Sequence, residues 1–470
     1  MKKQSRLFIK GIKRGEAPLR SSLPSPLMKG RGLKGEGLVN NPKQSIGIGL
    51  MGLGVVGGQV AKVLIDKAEV LAEQVGCPLV LRKVVVRDLS KKRLPGVASL
   101  LTTDADGVLD NPEIDIVVEA IGGEVPAIDY LTRALLGGKH VVTSNKEVIA
   151  KHGVELLTLA QQHGVGLHYE AAVGGGIPLI SPFQHDLLAN KISGIYAIIN
   201  GTTNFILTKM ARDGVDFSSA LHRAQELGYA EPNPRDDVEG IDAAYKLAIL
   251  ASLAFRSQVR PEDIYCEGIS RLSSRDFQYA QELGFAIKLL AIAKQSDESI
   301  EVRVHPVFIP EDSFLAKVDG VYNAVQVEGD LVGKVLFFGE GAGALPTSSA
   351  VIADIVAAAK DVILGAGSRV KWGAQAGKSV RPMSEIKTRY YLRLNVADRP
   401  GVLAQIAKVL GDHQISISSV IQKVADSVAQ TAEIVIMTHP AQEAAMQQAL
   451  GELTHLTTVN EIRSFIRVEA

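Results

Sequence analysis

Residues 46–57 read IGIGLMGLGVVG: the apolar run Ile46–Met51 passes directly into Gly52-Leu53-Gly54-Val55-Val56-Gly57. Glycine is common in this chain (45 residues), so GxGxxG by itself decides little. Its setting decides more. A buried strand precedes it, and a helix is expected behind it over 59–72, where Val60, Val63, Leu64 and Leu71 recur with helical spacing. In such a strand–turn–helix unit Gly52 allows the tight turn and Gly54 the close approach of a pyrophosphate to the backbone. Gly57 lets the helix pack near the strand, and the helix N-terminus faces the negative charge. A structural glycine turn is the plainer alternative, and it leaves this order of elements unexplained.

The pattern continues outward. Residues 79–87 (LVLRKVVVR), 114–121 (IDIVVEAI) and 140–144 read as further strands, with a helix over 126–136. Buried strands alternating with helices imply right-handed crossovers and a parallel sheet, so the first unit, 45–180, is expected to be a Rossmann-type nucleotide-binding domain. Its second strand ends Val85-Val86-Arg87-Asp88, with Lys91, Lys92 and Arg93 behind. Arg87 suits a 2′-phosphate, which favours NADP, while Asp88 keeps NAD open. Residues 181–365 mix helices with strands near 192–200 and 302–309 and form the expected α+β catalytic and dimerisation unit, with about 339–365 returning to the nucleotide domain. Residues 366–387 are rich in Gly, Ser and Lys and read as a linker. Residues 388–470 read βαββαβ, a ferredoxin-like order, with a helix over 402–410 that Asp398 is placed to cap and a second helix over 441–453.

Charge separates the tail from the rest. The chain of 470 residues balances 51 Lys and Arg against 51 Asp and Glu. Residues 1–44 hold eleven of those bases and two of the acids, a net of +9, which leaves a body of net −9. The tail has no hydrophobic period and no apolar stretch of the roughly 7–15 residues that a secretory signal needs, so it reads as a disordered extension. An acidic body argues against a nucleic-acid surface. No apolar run approaches the roughly 20 residues of a membrane span. Two cysteines, Cys77 and Cys266, build no disulfide framework, no Cys/His set has zinc spacing, and a cytoplasmic setting is expected.

The chemistry concentrates in the middle. Residues 228–247 read GYAEPNPRDDVEGIDAAYKL. Asp236 or Asp237 is placed to cap a helix running to about Phe255, on which Asp242 and Lys246, four apart, share one face. Glu231 precedes them on a proline-fixed loop. An ordinary surface ion pair is the plainer reading, but two other segments count against it. Thr143-Ser144-Asn145-Lys146 follows a strand of the nucleotide sheet, on the side where such sheets bind ligands. Glu170-Ala171-Ala172-Val173-Gly174-Gly175-Gly176-Ile177-Pro178 sets an acid before glycines whose carbonyls suit a hard cation. Asn200-Gly201-Thr202-Thr203-Asn204 is a polar turn between a strand and a helix.

Jointly, GLGVVG (52–57), TSNK (143–146), EAAVGGGIP (170–178), INGTTNFIL (199–207), GYAEPNPRDD (228–237) and GEGAG (339–343) make 45–470 resemble homoserine dehydrogenase carrying a C-terminal ACT domain. The resemblance implies NAD(P)-dependent interconversion of L-homoserine and L-aspartate 4-semialdehyde in the synthesis of threonine, methionine and isoleucine. It implies Lys246 as the principal catalytic residue with Lys146 facing it, and Glu231, Asp242, Asp236, Asp237 and Tyr229 around the substrate. Cofactor contacts fall to Gly52, Leu53, Gly54, Val55, Val56, Gly57, Arg87, Ile121, Gly122, Ser144, Lys146 and Gly341. A structural sodium ion would lie on Glu170 and the carbonyls of Val173, Gly175 and Ile177. The ACT domain implies an amino-acid effector, with L-threonine expected, and a homodimer or homotetramer. The competing readings are another amino-acid dehydrogenase and a non-enzymatic nucleotide and amino-acid sensor. A thioester-forming semialdehyde dehydrogenase needs a nucleophilic cysteine with a base, which neither Cys77 nor Cys266 offers in its motif.

Overall fold

Ile46–Met51 is a strand, β1, with all six residues buried, as an apolar run without polar alternation requires when both sheet faces are covered. In this computed structural model, which describes residues 43–91, 93–296, 299–367, 378–426 and 429–469, β1 lies inside a six-stranded parallel sheet. The other strands are β2 (Leu79–Val85), β3 (Leu101–Thr102), β4 (Ile116–Glu119), β5 (His140–Thr143) and β6 (Leu167–His168), in the order β3-β2-β1-β4-β5-β6. The strand order reverses between β1 and β4, so the ligand crevice of such a sheet opens where these two end, at Gly52 and Ala120.

The helix expected over 59–72 is two helices, Val55–Asp66 and Ala68–Val75, interrupted at Lys67. Leu64, Leu71 and Val75 are all buried, so the apolar period runs through the break and cannot reveal it. The first helix starts directly at the glycine turn, with Gly54 as its N-cap and no side chain capping it. Helix Ala344–Leu364 comes back from the far end of the catalytic region. It buries Val351, Ile355 and Ala358 in the same core as Ile46, Ile48, Val60 and Val118.

A second, mostly antiparallel sheet follows. Its strands are β7 (Ile192–Ile198), β8 (Tyr265–Cys266), β9 (Phe285–Gln295), β10 (Ser299–Pro310), β11 (Tyr322–Gly329), β12 (Gly333–Glu340), β13 (Ser379–Val380), β14 (Lys387–Ala397), β15 (Ile417–Asp426), β16 (Thr431–Thr438), β17 (Ala441–Gln442) and β18 (Val459–Val468). The main order is β12-β11-β7-β9-β10-β18-β14-β16-β15, so the catalytic and C-terminal units share one sheet. One edge of β10 pairs along its length with β9. The other is divided among β13 at Ser299 and Ile300, β8 at Arg303 and Val304, and β18 at Val307 and Phe308.

The C-terminal unit has the expected βαββαβ order, with two local differences. Helix Val402–Asp412 is capped by Gly401 at φ 88°, not by Asp398, whose amide instead bonds the Gln430 carbonyl at 2.9 Å. The second helix starts at Glu443, because Ala441 and Gln442 pair with Thr388 and Lys387. Buried ion pairs fix the seam. Arg393 donates to Asp276 (2.8 Å) and Glu433 (2.9 Å), and Arg467 to Glu443 (2.6 Å) and Glu267 (2.8 Å). Removing one partner of such a buried pair leaves an uncompensated charge, at a cost of about 3–5 kcal/mol. Residues 1–42 of the expected tail and 368–377 of the expected linker lie outside the described residues. No described helix is long and apolar enough to cross a membrane.

Candidate active site

Lys146 is the first residue of helix Lys146–Gln162, directly after β5, and Lys246 lies on helix Ile241–Phe255 of the catalytic unit. Both reach one buried carboxylate. Lys146 Nζ is 2.6 Å from Asp242 Oδ1, and Lys246 Nζ is 2.7 Å from Oδ2, with a further bond of 2.9 Å to the carbonyl of Ile199. Burial alone would raise the Asp242 pKa, but the two ammonium groups outweigh it and hold the carboxyl well below its usual range. Burial opposes the charge on half-exposed Lys146, yet Asp242 raises its pKa, so it stays an ammonium at neutral pH.

Asn200 closes the set. Its Oδ1 caps helix Gly201–Asp213 through the Thr203 amide at 2.9 Å, while its Nδ2 donates to Asp237 (2.7 Å) and Asp242 (2.9 Å). Asp237 is partly buried. Burial, with Asp242 alongside, raises its pKa despite the bond from Asn200. Asp237 sits in a separate one-turn helix, Arg235–Val238. The long helix begins only at Ile241, with Gly240 at φ 82° as its N-cap, so neither Asp236 nor Asp237 caps it. Glu231 and Asp236 are exposed at the approach. Tyr229 is half-exposed, its ring 5.0 Å from that of Phe205. The structure thus brings together Lys146, Lys246, Asp237 and Asp242, and leaves Glu231, Asp236 and Tyr229 outside this bonded cluster. In the sequence Asn200 stands out only as part of a polar turn, because an Asn between strand and helix is a capping signal that says nothing of its amide's second task.

The nucleotide crevice is a cavity of about 550 Å³. Gly52, Leu53, Gly54, Arg87, Ile121 and Gly122 line it, together with Asp88, Lys91 and Arg93. The residues fit a dinucleotide. Gly52 stands at φ 97°, and a Cβ on Gly57 would meet the Gly52 carbonyl at 2.1 Å. A Cβ on Gly54 would meet nothing within 4 Å, so open space faces that backbone and the uncapped helix end behind it. Val55 is exposed and Val56 half-buried. Asp88 Oδ1 already accepts the amide and hydroxyl of Ser90, at 2.8 and 2.6 Å. Behind the crevice, buried Glu119 accepts the amides of Ile121 (2.8 Å) and Gly122 (3.1 Å) and the hydroxyl of Thr143. Thr143 Oγ1 accepts the Asn145 amide, and Asn145 in turn caps the helix that opens with Lys146. Nothing in the sequence pattern marks Glu119 beyond an acid inside an apolar strand. Ser144 follows β5, its amide 3.3 Å from the Glu119 carbonyl. Gly341 lies outside this lining, packed against Gly175 and Asn323.

Glu170 has a different neighbourhood from the one its motif suggests. Its Oε1 accepts the amides of Leu179 (2.5 Å) and Ile180 (2.8 Å), and its Oε2 that of Ser181 (2.7 Å). The backbone therefore satisfies this buried carboxylate without a cation, which leaves the carbonyls of Val173, Gly175 and Ile177 as the hard-oxygen set at this corner. Although the sequence spacing offers no zinc ligands, the fold brings His140, His168 and Asp361 within 4.8 Å of one another.

Residues 178–356 match the homoserine dehydrogenase family model, 52–170 the model of the homoserine dehydrogenase NAD-binding domain, and 390–455 the ACT domain model. Homoserine dehydrogenase of Bacillus subtilis is 41% identical over 429 residues, covering 91% of this chain and 99% of the relative. That of Neisseria gonorrhoeae is 43% identical over 433 residues, covering 90% and 99%. Among solved structures, a homoserine dehydrogenase from Thiobacillus denitrificans superposes with a TM-score of 0.84 at 43% identity, over 90% of this chain and 98% of that one. A hyperthermophilic archaeal homoserine dehydrogenase in complex with NADPH superposes with a TM-score of 0.58 at 27% identity, over 67% and 97%. Glycine turn, lysine pair and C-terminal ACT unit thus occur together in a chain that belongs to the homoserine dehydrogenase family of NAD(P)-dependent oxidoreductases.

Proposed function

We propose that this enzyme uses NADPH in preference to NADH to reduce L-aspartate 4-semialdehyde to L-homoserine, reversibly, in threonine, methionine and isoleucine synthesis. The observation that carries the mechanism is the pair of lysines, from two different units, on the single buried carboxylate of Asp242. When bound, the nicotinamide supplies the hydride. The chain does the rest. Lys246 holds the carbonyl oxygen of the semialdehyde and gives it a proton as negative charge develops there. Lys146 adds a second positive charge, and Asp242 keeps both ammonium groups in place. Asp237, with Glu231, Asp236 and Tyr229 at the approach, receives the substrate ammonium. The decisive test is NADPH oxidation with L-aspartate 4-semialdehyde. Turnover with other aldehydes alone, or with none, would favour another dehydrogenase or a sensor.

Arg87 supports NADP through charge-assisted bonding of a 2′-phosphate, and the commitment of Asp88 to Ser90 leaves that acid less available to a ribose hydroxyl. The remaining crevice contacts are Gly52 to Gly57, Ile121, Gly122, Ser144 and Lys146. Gly341, where the chain returns to the nucleotide domain, is a further cofactor contact in this reading. A structural sodium ion would be held by the carbonyls of Val173, Gly175 and Ile177, without a part in the reaction. We also assign to the C-terminal unit feedback inhibition by L-threonine, and to the enzyme a cytoplasmic setting. A homodimer or homotetramer is supported by β12, the outermost strand of the sheet among the described residues, where Phe338 is exposed and stacks on Tyr322 at 5.2 Å.

A further inference from the structure

Strand register brings His140 and His168 to one face of the nucleotide sheet. His140 opens β5, His168 ends β6, and Val142 pairs with His168. Residues two apart on a strand share a face, and so do paired neighbours. Both imidazoles therefore stand on the face where Val142 shares a core with Val351 and Ile355 of helix Ala344–Leu364. Asp361, in the last turn of that helix, completes a set whose ligand atoms all lie within 4.8 Å of one another.

The plain reading is an ion pair between His168 and Asp361, and three observations go beyond it. Nε2 of His168 is 3.3 Å from Asp361 Oδ2, yet this nitrogen is buried and has no hydrogen-bond partner among the described residues. A buried polar atom left in that state calls for an explanation. Gly166 lies against both rings: a Cβ there would stand 2.6 Å from His168 Nε2 and 3.1 Å from His140 Nδ1. Its φ is outside the left-handed region, so this glycine serves space rather than conformation. Nδ1 of buried His140 accepts the Gly166 amide at 3.1 Å, which puts the ring proton on Nε2 and the lone pair on the side of the gap. Burial first, and His168 beside it, push the His140 pKa down to about 4, so the ring is uncharged at neutral pH.

We propose that His140, His168 and Asp361 bind one divalent transition-metal ion of the zinc class, which clasps helix Ala344–Leu364 to β5 and β6. Two imidazoles and a carboxylate suit Zn²⁺ and its neighbours, unlike the all-oxygen corner at 173–177. Ligands roughly 2.0–2.1 Å from a tetrahedral zinc stand about 3.3 Å from each other. His168 and Asp361 already have that spacing. His140 closes in on binding and exchanges the Gly166 amide for the metal, while water takes the fourth position. His140 is at the opposite end of β5 from Thr143, which leads to Lys146, so the ion holds the fold together and takes no part in the reaction.

The test uses the full-length enzyme stripped with EDTA and Zn²⁺ alone as the probe, read by calorimetry and by Tm. One Zn²⁺ per chain is expected, with Tm raised, because an ion that binds only the folded state stabilises it. His168→Ala and Asp361→Asn each remove a ligand. Both are expected to raise the Zn²⁺ dissociation constant at least about tenfold, the scale on which even the partners of metal ligands act, and to lose the rise in Tm. Gly166→Ala keeps all three ligands, fills the space between the nitrogens, and should have the same effect. Circular dichroism of the stripped proteins checks folding, and if one variant fails to fold the others decide. A wild-type enzyme that takes up no Zn²⁺ would overturn the assignment. So would uptake that is equally tight in the folded variants, since the ion would then sit elsewhere.

Discussion

Lys146 and Asp242, 96 residues apart in sequence, are 2.6 Å apart in space, and this ion pair links the helix that follows β5 of the nucleotide sheet to the catalytic helix. Because Asp242 also holds Lys246, the separation of the two ammonium groups is set by a single carboxylate.

Replacing Lys246 tests the proton route. Lys246→Ala is expected to lower kcat by about 10²–10⁴-fold, the usual scale for loss of a positioned acid. NADPH binding, followed by cofactor fluorescence, should stay near wild type, since the crevice lining excludes this residue. Near-wild-type turnover would remove Lys246 from its role.

Asp237 should show opposite effects on function and stability. A carboxyl with a folded pKa above its unfolded value favours folding when protonated. That advantage is lost as pH rises from the unfolded value, near 3.9, through the raised folded one, so at neutral pH the charge costs stability. Asp237→Asn should therefore raise Tm at pH 7, with a smaller gain at pH 4, while KM for the semialdehyde increases. A lower Tm at pH 7 would contradict the burial argument.

Cofactor choice turns on Arg87. Arg87→Ser is expected to raise KM for NADPH by roughly 10–100-fold, equivalent to one charge-assisted contact. KM for NADH should be little changed. Equal losses for both cofactors would mean that Arg87 supports the crevice without reading the 2′-phosphate.

Glu119 reaches the reaction only through other residues. In Glu119→Gln the side-chain amide would face the Thr143 hydroxyl, and the amides of Ile121 and Gly122 would lose a charged acceptor. A cost of about 1–3 kcal/mol in stability is expected, together with a raised KM for NADPH. A purely structural role would lower Tm and leave that KM unchanged.

The residues that organise the fold were largely visible in the sequence, because period and turn chemistry are local. The glycine turn after Ile46–Met51 and the spacing of Asp242 and Lys246 both needed only neighbours in sequence. The second task of Asn200 and the role of Glu119 were not visible, for a common reason. Each acts through partners brought in by the fold, 37 and 42 residues away for the two aspartates that Asn200 holds. The Glu170 motif shows the converse hazard. An acid before glycines suggests a cation, and only the structure reveals that the amides at 179–181 already meet its charge.

The shared edge of β10 has a consequence for how the enzyme can be cut. Its three short pairings are with β13 in the segment leading to the C-terminal unit, with β8, and with β18, the last strand of the chain. A protein trimmed before residue 378 would keep only the middle one. It would present most of a long, apolar strand margin to solvent, an open template for pairing with other chains. The C-terminal unit is thus a sheath, and an enzyme freed from it would be expected to gain stickiness before it gained independence.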